Sequence, residues 1–431
     1  MSKIKDLPEQ FIERMKKVLG EEIGDFLSQY EKTAVKALRF NTGKVRPETV
    51  EKLKDEWGLE AVPWCKDGYY YDEAALLKNG VRPGLSPYHE AGVFYIQEPS
   101  AMVTAEKAEI GPEDVVLDLC AAPGGKSTQA AAKAGLLLSN EPIPGRARIL
   151  SSNIERLGFD NVVVCSAYPD ELAACFKGFF DKIIVDAPCS GEGMMRKDET
   201  AINEWSPENV EACIVRQAGI LEAAAGMVKP GGRIIYSTCT FEPGENEGQM
   251  EHFISEHPEF RLISAETMYP HKIKGEGHFC AVLEKAGGNT DTAALSKTGG
   301  SKKSKGKNEL TPENIKKLLQ KKKIHVLRAG VEPGETITDK RGKKRYEPSH
   351  AEALSGYFGT HEKDSLNLGS IEDAESYLKG NVLELDRLEG EYELNSDGGW
   401  LTVMYDGYSM GLGKLSGRTV KNHYPKGLRH F

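Results

Sequence analysis

The chain has 431 residues, 39% of them hydrophobic and 28% charged, with a formal net charge of −9; such values fit a globular protein of roughly three domains. No stretch of about 18 consecutive apolar residues occurs, which excludes a membrane-spanning helix, and Met1-Ser-Lys-Ile-Lys-Asp6 lacks the apolar core of a signal peptide. Eight cysteines without a C-x-x-C pair argue against a disulfide scaffold or a structural zinc, so reduced thiols and a cytoplasmic location are expected.

The charge is unevenly spread. Residues 296 to 345 hold 16 Lys plus Arg against 5 Asp plus Glu, a local +11, and the rest of the chain therefore carries −20. A basic segment on an acidic protein implies a polyanionic partner approached through one part only.

Residues 8 to 31 carry Phe11, Met15, Val18, Leu19, Phe26 and Leu27 at helical spacing, with Pro8 suited to a first turn. A short strand is predicted at Ala37-Leu-Arg-Phe-Asn-Thr42 and a helix at 47–57, followed by short strands and turns over the aromatic-, Gly- and Pro-rich residues 61–90. Residues 1–90 thus form a small α+β module, expected to bind RNA. From 91 to 285, buried strands are predicted at 115–119, 136–140, 161–165, 182–186 and 233–238, separated by helical segments. The longest helix runs from Pro207 to Val228, with Ser206 as its N-cap and Lys229-Pro-Gly-Gly232 as its terminator. Strands alternating with helices imply a doubly wound, mainly parallel sheet. Residues 286–310, nearly devoid of apolar side chains, read as a flexible linker. The region 311–431 opens on a basic helix and turns β-rich at Tyr392-Glu-Leu394, Trp400–Tyr405 and Ser409–Leu415, with Asp406-Gly407 as a hairpin turn; a small barrel is expected.

Within the sheet domain, Val115-Val-Leu-Asp-Leu119 leads into Cys120-Ala-Ala-Pro-Gly-Gly-Lys126 and then a helix. Strand, glycine turn and helix form a ligand-binding corner. The turn is neither G-x-x-x-x-G-K-[ST] nor G-x-G-x-x-G, which disfavours a P-loop and a hydride carrier. Asp118 at the strand's end suits a ligand bearing an ammonium. Glu141, 23 residues further on, ends the next strand, where an acid would meet ribose hydroxyls. Asp186-Ala-Pro-Cys-Ser-Gly191 and Tyr236-Ser-Thr-Cys-Thr240 each follow a strand, so Cys189 and Cys239 converge on the same carboxyl edge.

These three motifs, Asp118–Lys126, Asp186–Gly191 and Ser237-Thr-Cys-Thr240, resemble those of the RNA cytosine-C5 methyltransferases of the Nop2/Sun (Fmu) family. Gly407-Tyr-Ser-Met-Gly-Leu-Gly413 and Lys421-Asn-His-Tyr-Pro-Lys-Gly-Leu-Arg429 resemble the branch called RsmF or YebU, which acts on small-subunit ribosomal RNA. The resemblance implies a Rossmann-like S-adenosylmethionine-dependent methyltransferase domain and a PUA-like C-terminal region. It implies Cys239 as nucleophile on C6 of cytosine, Cys189 as the helper in removing the C5 proton and releasing the enzyme, and Asp186 at the base edge. It places S-adenosylmethionine on Cys120, Ala121, Ala122, Pro123, Gly124, Gly125, Lys126, Glu141 and Asp186. The family's adenine-side Asp is replaced here by Tyr168, with Asp170 two residues on, so either one is expected at the adenine. Arg39, Arg196 and Lys197 are candidate RNA contacts. The expected partner is 16S ribosomal RNA, approached as a single strand or loop by a monomer that needs neither metal nor membrane. A transfer-RNA cytosine-C5 methyltransferase and a non-catalytic RNA-binding assembly factor are the alternatives.

Overall fold

A computed structural model describes residues 4–287, 310–338, 342, 344–355, 364–393 and 398–430. Four short strands, β1 (Ala37–Phe40), β2 (Glu60–Ala61), β3 (Gly68–Tyr70) and β4 (Phe94–Ile96), form a small N-terminal sheet in the order β2-β3-β1-β4. The helix predicted over 8–31 is broken. It runs Glu9–Leu19, turns at Gly20 with φ +57°, and resumes at Ile23–Ser28. The break folds the two segments together, so that Phe11, Met15, Phe26 and Tyr30 are all buried in one cluster with Met195, Trp205 and Phe241.

The central sheet has eight strands. β5 (Val115–Asp118), β6 (Leu136–Asn140), β7 (Val162–Ser166), β8 (Phe180–Asp186) and β9 (Val228–Thr238) are parallel, in the order β9-β8-β5-β6-β7. Their apolar runs are buried on both faces, as a helix-covered parallel sheet requires. The chain winds one way from β5 to β6 and β7 and the other way to β8 and β9. The switch point therefore lies between β5 and β8, where ligands bind in such sheets. β10 (Phe260–Met268) and β11 (His278–Lys285) extend the β9 side as an antiparallel pair. The long helix spans Pro207–Met227 with Ser206 as its cap, but Lys229–Gly232 does not form a separating turn; the chain enters β9 directly.

At the other edge β12 (His325–Ala329) pairs antiparallel with β7, and the Pro312–Lys321 helix before it buries Ile315 and Leu319 against the sheet. The basic helix thus belongs to the methyltransferase sheet, not to a separate tail beginning at 311. The physical reason is the edge of β7, whose open N–H and C=O groups are covered by the returning strand. The predicted linker, apart from residues 286, 287 and 310, lies outside the described residues.

β13 (Glu335–Thr338) and β14 (Lys344–Glu347) pair antiparallel with each other. The C-terminal sheet follows the order β16-β20-β19-β18-β15-β17, with β15 (Ser365–Leu368), β16 (Leu383–Glu384), β17 (Gly390–Glu393), β18 (Gly398–Tyr405), β19 (Tyr408–Ser416) and β20 (Thr419–Asn422). β18 and β19 are joined through Asp406 and Gly407, with φ of +48° and +74°, the double positive φ of a type I′ hairpin. This sheet shares one core with the N-terminal one: Leu38, Phe40, Trp57 and Phe94 cluster with Leu366, Tyr377, Leu401 and Val403. Tyr88 and Tyr408 form the seam. The Tyr88 hydroxyl donates to Asp406 at 2.8 Å, and the Tyr408 hydroxyl donates to Thr49 Oγ1 at 2.8 Å. Among the described residues no helix is long and apolar enough to cross a membrane.

Candidate active site

The carboxyl ends of β5, β8 and β9 carry the chemistry. Asp118 closes β5 and is fully buried. Its Oδ2 accepts from the Ser127 hydroxyl at 2.6 Å, whereas its Oδ1 has no partner. Burial, reinforced by the nearby Asp186 charge, pushes its pKa up to about 7. Between β5 and the Gly125–Ala131 helix the turn passes through Gly124 at φ +117°, a conformation that a side chain would strain.

Lys126 reaches from that helix to Asp186, with 2.9 Å between Nζ and Oδ2. Asp186 also accepts from the Ser237 hydroxyl at 2.9 Å. Burial opposes charge on both partners, but their attraction prevails: the Lys126 ammonium is held above its ordinary range and the Asp186 carboxyl below its own. Behind them lies buried His278, driven down to about 3 by burial and by Lys126, and therefore neutral.

Cys189 and Cys239 lie beside this pair with their sulfurs 3.3 Å apart. The contact with Cys239, together with burial, holds the Cys189 thiol well above its ordinary pKa. Lys126 is close enough to Cys239 for their charges to interact. All eight cysteines are free thiols.

A cleft of about 250 Å³ opens beside Lys126 and Asp186; Cys189 and Cys239 are not among its lining residues. It is lined by Asp118, Cys120, Ala121, Ala122, Pro123, Gly125, Lys126 and Asp186, by Tyr95, Gln97 and Glu98 from the N-terminal module, and by Met194 and Lys197. Six of the turn residues expected from the sequence thus line one cavity, and Gly124 shapes it. Glu141 is buried at the end of β6, where its carboxylate accepts from the Ile143 N–H at 3.1 Å and pairs with Arg146 at 3.2 Å. Tyr168 and Asp170 are exposed at the start of the Pro169–Ala173 helix and are not among the residues lining the cleft.

Residues 107–286 match the family described as 16S rRNA methyltransferase RsmB/F. Residues 7–99 match the N-terminal domain of 16S rRNA methyltransferase RsmF, and residues 369–430 the methyltransferase RsmF PUA domain. Proteins named ribosomal RNA small subunit methyltransferase F from Vibrio atlanticus and Vibrio cholerae are each 30% identical, over 98% of this chain and 97% of theirs. The chain belongs to the ribosomal RNA small subunit methyltransferase F family. A solved methyltransferase homolog from Pyrococcus horikoshii is 26% identical with a TM-score of 0.57, covering 64% of this chain and 95% of its own. NSun6 from the same organism, solved with SFG, shares the fold at 22% identity and a TM-score of 0.58, over 65% of this chain and 99% of its own.

Members of this family use S-adenosylmethionine, and the cleft fits it. Asp118 offers an unpaired buried acceptor to an ammonium, and the turn backbone is open beside it. Bound there, the cofactor supplies an electrophilic methyl group.

Two expected RNA contacts are corrected. Arg39 is buried, donating to Gln97 Oε1 at 3.0 Å, the Gly125 carbonyl at 3.2 Å and Thr128 Oγ1 at 2.8 Å. Arg196 is buried against Glu276 at 2.6 Å and donates to the carbonyls of Gln29 and Gly275, each at 3.2 Å. Both tie the N-terminal module to the sheet domain, and neither presents its charge to solvent. Lys197 is exposed and lines the cleft. Sequence reasoning missed Tyr95, Gln97 and Glu98. Tyr95 lies in β4 and Gln97 and Glu98 follow it; only the docking of the N-terminal sheet brings them to the cleft, and no local pattern marks them.

Proposed function

We propose that this protein transfers a methyl group from S-adenosylmethionine to C5 of cytosine in 16S ribosomal RNA of the small subunit, through a covalent Cys239–C6 adduct. The observation carrying this reading is the pair of thiols 3.3 Å apart beside the Lys126–Asp186 ion pair.

Cytosine C5 is too weakly nucleophilic to take a methyl group unaided. The Cys239 thiolate forms a bond to C6. The displaced π electrons make C5 enamine-like, and Asp186 is placed to bond the base edge. After methylation, C5 carries both the methyl group and its original hydrogen. The Cys239 charge has by then gone into the C–S bond. Cys189, 3.3 Å from Cys239, gives up its own proton to solvent and takes the C5 proton. The C–H electron pair re-forms the C5–C6 double bond, the Cys239–C6 bond breaks, and Cys239 departs as thiolate. One proton is released overall.

Methyl transfer to ribosomal RNA, read by label incorporation and bisulfite sequencing, tests the assignment. Cys239→Ala is expected to abolish transfer and keep cofactor binding. Cys189→Ala is expected to accumulate an RNA-linked band that survives denaturing electrophoresis. A fully active Cys239→Ala enzyme, or a Cys189→Ala enzyme that turns over normally with no such band, would defeat the mechanism.

A further inference from the structure

We propose that Glu245 is a positioning residue whose carboxylate ties the Cys189 loop to the Cys239 loop and so sets the separation of the two thiols. Its catalytic consequence rests on the cytosine-C5 reading above.

Glu245 lies six residues after Cys239 and is fully buried. Its Oε2 accepts from the Ser190 N–H at 3.0 Å and from Gln217 Nε2 at 2.7 Å, and its Oε1 accepts from the Ser190 hydroxyl. Ser190 Oγ is also 2.7 Å from Thr240 Oγ1. Gln217 Nε2 donates in addition to the Pro188 carbonyl at 3.0 Å. The residues on both sides of Cys189 and the one after Cys239 are thereby joined through one carboxylate. The backbone carbonyl of Glu245 accepts from the Tyr236 hydroxyl at 2.7 Å, which anchors the clip to β9.

The chemistry selects an acid. A carboxylate only accepts, so it can take every donor aimed at it; an amide would turn its own N–H groups toward some of them. Among the described residues no cation pairs with this acid; burying it is costly, and burial pushes the Glu245 pKa up. Glu245 does not line the cleft. Its effect on the reaction must pass through the two cysteine loops.

The test uses the full-length protein as Glu245→Gln, Ser190→Ala and the double variant. Diamide, which takes up two electrons and two protons, oxidises apposed thiols to a disulfide. Its rate of linking Cys189 to Cys239, followed by mass spectrometry, measures their apposition without any turnover. Wild type should cross-link readily. Glu245→Gln should cross-link about tenfold more slowly or worse, the equivalent of one lost buried hydrogen bond. Its kcat should fall comparably, with KM for RNA and Kd for S-adenosylmethionine unchanged; the intact Kd also reports a folded protein. Ser190→Ala, which loses only a hydroxyl, should show a weaker effect of the same kind and carries the test if Glu245→Gln does not fold. The double variant should be no worse than Glu245→Gln, because both act on one unit. Unchanged cross-linking, slowed cross-linking with an unaltered kcat, or multiplicative losses in the double variant would each overturn the proposal. A wild-type enzyme that methylates no ribosomal cytosine would sink the reaction reading, while the cross-linking rates would still decide whether Glu245 holds the loops.

Discussion

Truncation after residue 287 and truncation after residue 331 should give two different proteins. Both remove the C-terminal β sheet, but only the shorter one also loses the Pro312–Lys321 helix and β12. In the structure that segment buries Ile315, Leu319 and Ile324 in the main sheet core and pairs with β7 from Val163 to Ser166. Fully burying one such aliphatic side chain is worth about 1.5–3 kcal/mol, so three together come to roughly 5–9 kcal/mol. That is comparable to the whole stability of a typical domain, about 5–15 kcal/mol. The 1–287 protein should therefore melt far below 1–331, with urea midpoints moving likewise. It should also bind S-adenosylmethionine more weakly, because β7 borders β6, whose end holds Glu141. Parallel melts and cofactor titrations of the two truncations check this. Equal melting temperatures and equal cofactor affinities would refute the claim that the basic helix and its strand are part of the methyltransferase fold.

RNA affinity of the 1–331 protein should be weaker than that of the full chain, and its log–log salt slope shallower by about 0.7–0.9 per lost phosphate contact; an unchanged slope would make the C-terminal sheet a bystander. Asp118→Asn should lower cofactor affinity yet stabilise the protein without ligand above neutral pH. The Asp118 carboxyl has a folded pKa raised to about 7 from 3.8, so the folded state retains a proton that the unfolded chain has lost, and stability falls as pH rises through that window. The shift corresponds to an upper bound of about 4 kcal/mol, and the melting difference between variant and wild type should shrink toward pH 4. Arg39→Met should weaken cofactor binding by disturbing Gly125 and Thr128, but leave the salt slope of RNA binding unaltered; a shallower slope would restore Arg39 as a phosphate contact.

The parallel strands, the glycine turn and the two cysteine motifs were legible in the sequence because each is a local pattern. A strand buried on both faces must be apolar throughout. The turn needs glycine at Gly124, and the two cysteines each follow a strand end. The hairpin at Asp406-Gly407 was legible for the same reason. Other features were beyond a linear reading because they depend on partners far away in the chain. The antiparallel strand β10 is exposed over most of its length and shows no regular alternation. The basic helix, soluble-looking by itself, finds its place only because β7 leaves an open edge. Arg39 and Arg196 look like surface cations in sequence, and burial between modules turns them into struts. Gln97 and Glu98 reach the cleft only through docking of the N-terminal sheet. The clip at Glu245 joins residues 55 positions apart. The sequence by itself marked the strand-end cysteines as the candidate reacting groups. Tertiary structure decided what holds them 3.3 Å apart, because a hydrogen bond is satisfied by proximity in space and leaves no periodic trace along the chain.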